Sequence, residues 1–572
     1  MKWRKAKVSS QFDDFINAGY SPYTAMTLTK AGLKTVEEAT NFLIGNEIHD
    51  FRLIRNIDKA TDLIWKHIFD GNKICVFGDY DVDGVTASAV MFLALKRLGA
   101  NVCVRLPDRI EEGYGINKKA IIEQLEQGVS LFVTVDNGVR AIEETRCVKE
   151  NGADIVVLDH HEPGNVLPEA DALIDLHIEG ETYPFCELTG SGLAWKVAHA
   201  MLEQMGEHDY ALSLVDLAAI GTIGDVAPLH GENRAIVKRA IALMRSPEYN
   251  RRGVIALMGD MGNITAEDIA FKLAPCLNAP GRLNANGADL PLILLLEDDA
   301  QIVGQLAGAV TRDNERRKEL QSECYKAIQG VAEKRIAAGD KVLVIYAENA
   351  PSGIAGLLAG NLKEEYHRPA IVFCPKTDVS GEIFWTGSAR SIDSFHMLNG
   401  ITECSNLLVR YGGHKLAAGL TVEPSKFEEF RMKINQVADY LTDEDVNPYM
   451  EWDLDLTAEQ LTDELYDEML SLEPYGAQAP KTIIRIPIKL RGNELHRFMG
   501  AESQHLKLFA GEISLVGFSM AEKYIQESFP EEIVAYGSLT LNYFRGSVYK
   551  QISMIDFATD TSNEERGGHC GR

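Results

Sequence analysis

Residues 76–88, VFGDYDVDGVTAS, set three carboxylates, Asp79, Asp81 and Asp83, into a five-residue stretch. Like charges at this density repel unless a cation or a set of donors holds them. More acids and imidazoles follow: Asp136 in VTVDNG, Asp159, His160 and His161 in VVLDHH, and Asp225 in GTIGDVAPL. Hard oxygen donors with one or two imidazoles, and no thiolate among them, suit Mn²⁺ or Mg²⁺. More than four carboxylates exceed the need of one ion, so a two-metal centre fits better. Its usual chemistry is in-line attack of a metal-activated water on phosphorus. A lone aspartate after a strand is commonly a helix cap or a turn residue, and Asp79 and Asp83 are the candidates for capping the next helix. Capping needs one acid, not three.

These residues need a scaffold, and the surrounding pattern supplies one. KICVF (73–77) reads as a strand and 84–99 as a helix closed by Gly99. Strands are expected at 101–106, 131–135, 153–158 and 170–175, with a helix at 118–128. Strands alternating with helices predict βαβ units and a mostly parallel sheet. In such sheets the binding crevice lies at the carboxyl ends of the strands, where Asp79, Asp136 and Asp159 fall. The expected organisation is a helical lead-in (1–70), an α/β catalytic domain (71–288) and a long connecting helix (289–336). A second α/β domain (337–440), a β-rich barrel (447–560) and a disordered tail (561–572) complete it.

A chain of 572 residues is too long for one core. No apolar run approaches the length of a membrane helix, and the basic N-terminus lacks the apolar segment of a signal peptide. Nine scattered cysteines without a C-x-x-C pair fit reduced thiols in a cytoplasmic protein. A net charge of -27 argues weakly against a nucleic-acid partner, since a whole-chain sum hides local basic patches.

The motifs DYDVDG, VDNG, LDHH and GTIGDVAPL together resemble the DHH phosphoesterase superfamily. LPDRIEEGYGIN, LTGSGLAWKVAHAM, GENRAIVKRAI and LAPCLNAPGRLNA narrow the resemblance to the RecJ family of single-strand-specific 5′→3′ exonucleases, over residues 55–555. The resemblance implies two divalent ions, Mn²⁺ or Mg²⁺. One is held by Asp81 with Asp136 as bridge, the second by Asp83, Asp136, His160 and Asp225. Relatives outside this family carry a histidine ligand where this chain has Phe77, so Asp79 is expected to supply the missing ligand. His161 would contact the scissile phosphate and Asp159 would orient the site. TGSARS (386–391) and RYGGHKLAAG (410–419) match the signatures of a DHH-associated domain. Arg109, Asn278, Arg282, Ser388, Arg390, Ser391, Gly412, Gly413 and His414 are thereby the expected nucleic-acid contacts. The barrel resembles an OB-fold, with Lys507, Tyr543, Phe544 and Arg545 as candidate strand contacts.

The chain departs from the family pattern at Cys276, at Gly360 and Asn361, in EPYGAQAP and in ALIDLHIE; none of these is a metal ligand. The expected activity is hydrolysis of single-stranded DNA from the 5′ end to mononucleotides, in repair and recombination. The expected enzyme is a monomer, with a single-strand-binding protein and a helicase as further partners and no membrane association. Two other readings compete. One is a DHH phosphodiesterase acting on short oligonucleotides or cyclic dinucleotides. The other is a catalytically silent DNA-binding scaffold, which would have lost metal ligands that this chain retains.

Overall fold

In the computed structural model, residues 2–377, 383–492, 494–500, 502–544, 547–559 and 564–565 are described. The chain opens with a short strand, β1 (Trp3–Lys5), before helices Ser10–Asn17, Pro22–Lys30, Val36–Ile44 and Ile57–Phe69. The lead-in is therefore not wholly helical; three residues are too few to show a strand alternation.

The catalytic domain is built on β2 (Lys73–Phe77), β3 (Asn101–Arg105), β4 (Val129–Val135), β5 (Asp154–Leu158) and β6 (Ala172–Ile174). They form one parallel sheet in the order β3-β2-β4-β5-β6. β2, β4 and β5 are nearly continuous apolar runs because helices cover both faces. The register sets Phe77 opposite Thr134 and Val135 opposite Leu158. The three strands therefore end level and release their acids at one edge. Helices Val82–Arg97, Gly190–Gln204 and Val215–Gly224 share the large core cluster on one face.

The connection expected as one helix over 289–336 is two. Asp289–Leu296 ends at an extended Glu297, and Ala300–Ala337 begins anew with Asp299 accepting from the amides of Gln301 (2.9 Å) and Ile302 (3.0 Å). The capping aspartate in LEDDA is the local cause. The second α/β domain carries β7 (Leu343–Tyr346), β8 (Ala370–Thr377), β9 (Ile383–Arg390), β10 (Leu408–Gly413) and β11 (Ala417–Val422). Their order is β10-β11-β9-β8-β7; β7 and β8 are parallel and the other pairs antiparallel.

Met450–Trp452 (β12) pairs in parallel with β1, and Trp3 stacks on Tyr536 at 4.1 Å. The C-terminal domain carries β13 (Leu454–Asp455), β14 (Ile484–Lys489), β15 (His496–Met499), β16 (His505–Ala510), β17 (Ile513–Gly517), β18 (Glu532–Phe544) and β19 (Ser547–Ala558). They run in the order β13-β14-β18-β19-β17-β16-β15, and a bridge between Arg491 and Ala510 curls the sheet back on itself. Glu564–Glu565 (β20) pairs with Trp3 and Arg4; the rest of the tail 561–572, expected to be disordered, lies outside the described residues. Arg234 locks this domain to the catalytic one. Its guanidinium donates to the carbonyls of Phe42, Leu472, Glu473 and Pro474 from a fully buried position.

Candidate metal centre and substrate cleft

Each acid is placed by a specific local device. Asp81, rather than Asp79 or Asp83, is the N-cap of Val82–Arg97; its Oδ1 accepts from the amides of Asp83 (3.0 Å) and Gly84 (3.1 Å). That frees Asp79 and Asp83 to turn inward, where each is only 1% exposed. Asp79 accepts from the Gly115 amide at 3.1 Å, and Asp83 accepts from the amides of Gly190 (2.7 Å) and Ser191 (3.0 Å). Asp136 follows β4 at φ 62°, a left-handed conformation that bends its carboxylate back over the strand ends. Gly190 makes this possible, since a Cβ there would lie 2.5 Å from that of Asp136. Asp225 comes from the C-terminus of Val215–Gly224.

These groups converge. Ligand atoms of Asp79, Asp81 and Asp136 lie within 4.8 Å of one another, as do those of Asp83, His160 and Asp225. His160 joins the two sets, its Nε2 lying 3.0 Å from Asp136, 3.7 Å from Asp83 and 4.0 Å from Asp225. A third overlapping set is Asp136, His160 and His161. Among the described residues no lysine or arginine pairs with any of these five aspartates. Burial, and then the neighbouring carboxylates, push the Asp79 and Asp136 carboxyls well above the ordinary range; Asp225 is raised in the same way. Buried acids crowded without a countercharge fit two small divalent cations, and the oxygen-rich donor set with one shared imidazole suits Mn²⁺ or Mg²⁺. Phe77, fully buried in the core beneath, offers no ligand.

Asp159 is built to hold His161. It accepts from the Val139 amide (2.9 Å), the His160 amide (2.8 Å) and His161 Nδ1 (2.8 Å). Burial alone would raise this carboxyl, but His161 and the amides hold it below its ordinary value. Burial opposes the His161 charge, yet the Asp159 bond and charge win and lift His161 to about 9. Its Nδ1 is committed, and its Nε2 has no hydrogen-bond partner among the described residues. The Tyr114 hydroxyl donates to the Asp136 carbonyl at 2.9 Å and sits 3.0 Å from His161 Nδ1.

The opposite wall is cationic. Burial, then the charges of Arg109, Arg317 and Arg390, hold the Arg282 guanidinium down to about 9. None of these four arginines has an acidic partner among the described residues. Arg109 lies over the Tyr80 ring at 4.6 Å, Arg282 donates to the Gly353 carbonyl at 3.3 Å, and Arg390 donates to its neighbour Ala389 at 2.8 Å and to Ser388 Oγ at 3.4 Å. β11 pairs with β9 so that Ala417 faces Arg390 and Gly419 faces Ser388, while Gly412 and Gly413 end β10 on the other side. His414 is lowered by burial and then by the charges of Arg390 and His161. With Tyr114, Asp159, His161 and Gly413 it lines a cavity of about 490 Å³ between the two domains.

Two expected contacts are engaged in holding the fold. Asn278 Oδ1 accepts from the Val82 amide at 3.0 Å and so braces the capped helix. Ser391 is buried and donates to the Phe395 carbonyl at 2.7 Å. In the barrel, a recess of about 940 Å³ is lined by Arg497, Lys507, Phe509, Tyr549 and Lys550 among others; Tyr543 is exposed but does not line it. Arg545 and the Phe544 side chain lie outside the described residues. Arg317, which sequence reasoning passed over, comes from the charge-dense TRDNERRKELQSE of the long helix. Its neighbours mark two departures from the family pattern. Asn314, one turn back, donates to Cys276 Sγ at 3.0 Å, and Gln321, one turn on, donates to Asn361 at 3.2 Å.

Comparison with known proteins agrees with this architecture. Residues 73–222 match the DHH family N-terminal domain, 339–439 the DHHA1 domain and 452–556 the RecJ OB domain. The chain is 35% identical to the single-stranded-DNA-specific exonuclease RecJ of Bacillus subtilis, over 94% of this chain and 68% of that protein. It is 31% identical to RecJ of Thermus thermophilus, over 88% and 71%. The crystal structure of Thermus thermophilus RecJ in complex with Mn²⁺ superposes with a TM-score of 0.79 at 27% identity, covering 98% of this chain and 80% of that one. A further exonuclease RecJ structure bound to manganese gives 0.59 at 32% identity, over 68% and 96%.

Proposed function

This chain belongs to the RecJ family of DHH exonucleases, and from that premise we propose how its cleft works. It is a metal-dependent exonuclease specific for single-stranded DNA. We infer 5′→3′ polarity and release of mononucleotides, in repair and recombination. The observation that carries the reading is two acidic ligand sets beside four arginines that have no acidic partner among the described residues. The alternative of a small-substrate phosphodiesterase is not favoured, because residues 452–556 match the RecJ OB domain.

Asp79, Asp81 and Asp136 would hold one divalent ion, and Asp83, His160 and Asp225, with Asp136 between the sets, the other. Ions held there polarise a phosphodiester and lower the pKa of water. Arg109, Arg282, Arg317 and Arg390 bind the phosphate of the terminal nucleotide. Gly412, Gly413 and His414 let the backbone approach the strand closely. His161, fixed through Nδ1 by Asp159, presents Nε2 to a non-bridging phosphate oxygen. Asp225 completes the ligand set from the helical side. The same reading has a monomer acting in the cytoplasm on strands coated by a single-strand-binding protein or opened by a helicase, and family membership supports it.

The test is degradation of a single-stranded oligonucleotide blocked at its 5′ or its 3′ end, with Mn²⁺ and with Asp136→Asn as control. Protection by the 5′ block alone, with an inactive variant, is expected. Protection by the 3′ block alone would overturn the polarity, and cleavage of dinucleotides but not longer DNA would overturn the substrate.

A further inference from the structure

Strand β2, which leads to the metal ligands, and its edge neighbour β3 carry a pair of thiols which no step above uses. Cys75 on β2 and Cys103 on β3 are direct register partners in the parallel sheet. The alternation of a strand sends both to the same face. Cys75 and Phe77 belong to the core cluster on one side, with Cys103 packed against it, whereas Ile74 and Val76 belong to the cluster on the other. Neighbouring strands lie about 4.8 Å apart, inside the Cα separation a disulfide accepts, though register partners leave the bridge strained. β3 is the edge strand, so Cys103 is partly exposed while Cys75 is buried.

We propose that Cys75 and Cys103 form an oxidisable dithiol, a modification site whose co-substrate is a hydroperoxide and whose closure misaligns the metal centre. The Cys103 thiolate attacks the peroxide oxygen. A sulfenic acid forms on Cys103 and the alcohol, or water from hydrogen peroxide, leaves. The Cys75 sulfur then attacks the Cys103 sulfur, and its proton leaves with the hydroxyl as a second water. Two thiols are oxidised to one disulfide and one peroxide is reduced. The local chemistry favours Cys103 as the first to react. The neighbouring Cys75 thiol comes first, and the Lys73 charge helps, in holding Cys103 down to about 7 against its burial; the Cys103 thiol and burial push Cys75 well up.

The bridge would reach the site because both strands run straight into it. β2 continues through Gly78 to Asp79 and Asp81. β3 continues through the loop that supplies Arg109, Tyr114 and the Gly115 amide, which donates to Asp79 at 3.1 Å. Gly78 also donates to the Arg105 carbonyl at 3.1 Å, so a change in strand separation is passed to the ligand turn at once. In a reducing cytosol such a bond is transient, which suits a sensor rather than a staple.

The test treats the metal-free full-length protein with hydrogen peroxide, quenches it, maps its peptides by mass and then assays it with Mn²⁺. A linked Cys75–Cys103 peptide pair, a loss of activity of about tenfold and recovery with dithiothreitol are expected. Cys103→Ser should match the untreated protein in basal activity and resist peroxide. Cys186→Ser, at an exposed thiol, should remain sensitive. No linked pair after oxidation, linkage without loss of activity, or equal loss in Cys103→Ser would each overturn the proposal. If Cys103→Ser folds poorly, Cys75→Ala carries the same test.

Discussion

Arg282 is held where a charge is costly, so replacing it should separate stability from function. Take Arg282→Met, which keeps most of the stem and removes the guanidinium. Burial and three neighbouring arginines hold the folded-state value down to about 9, still above neutral pH, so the folded protein carries the full charge and its full cost. At complete desolvation that cost is on the order of 5 kcal/mol. Water and counterions entering an open cleft reduce it to about 1–2 kcal/mol. Metal-free Arg282→Met should therefore melt higher, by about 2–8 °C for a domain of this size. Against substrate the sign reverses. A charge-assisted bond to phosphate contributes about 1.5–3 kcal/mol, so kcat/KM on 5′-phosphorylated single strands should fall about 10- to 100-fold. The salt dependence of binding should flatten by about 0.7 in log–log slope, one contact for a single strand. Thermal melts in chelator, and rates at several salt concentrations, measure both. A lower melting temperature, or an unchanged salt slope, would refute the view that these arginines are strained for a phosphate.

Three further outcomes are expected. Asp136→Asn keeps a side chain that tolerates the left-handed backbone at φ 62°; it should leave the fold intact, cut activity at least about 10³-fold, and reduce Mn²⁺ stoichiometry or affinity in calorimetry. In the unfolded chain Asp79, Asp136 and Asp225 ionise near about 4, but the metal-free fold holds their protons to higher pH. The folded state then binds more protons, so metal-free stability falls as pH rises above that value, and the gain in melting temperature on adding Mn²⁺ grows from pH 5 to pH 8; a constant gain would count against it. Gly413→Ala would set a Cβ 2.4 Å from the Ala417 carbonyl at φ 149°; it should weaken single-strand binding at least about tenfold while leaving Mn²⁺ affinity unchanged.

The acids at the strand ends were readable because a parallel sheet announces itself twice, in its apolar runs and in the polar residues at their carboxyl ends. β2, β4 and β5 begin and end within a few residues of their expected bounds, and Asp79, Asp136 and Asp159 sit where those runs stop. Which aspartate caps the helix was not readable, since all three stand near its start and only the backbone decides; Asp81 takes the amides and thereby turns its neighbours inward. The helix Ala274–Leu283 holds Pro275 in its first turn and Pro280 inside, and propensity argues against it. It exists because its residues pack into the core and Asn278 holds the Val82 amide. Arg317 was hidden for the opposite reason. A charge-dense helix reads as a solvated face, and only the tertiary arrangement brings one of its arginines close enough for its charge to act on Arg282.

The separation of the two charge clusters also explains how so acidic a chain can hold DNA. The carboxylates come from one domain's strand ends and would repel a phosphate. The arginines come from a loop (Arg109), a helix end (Arg282), the connecting helix (Arg317) and the second domain (Arg390), and would attract one. With the acids uncompensated, a phosphate beside the arginines feels opposing fields. Cations on the acids remove the repulsion and leave the attraction. Metal and strand must therefore favour each other's binding, and by linkage to the same degree in both directions. The net charge of -27 then works for selectivity. It repels nucleic acid on average, whereas at the cleft the sign of the field depends on whether the metal ligands are filled.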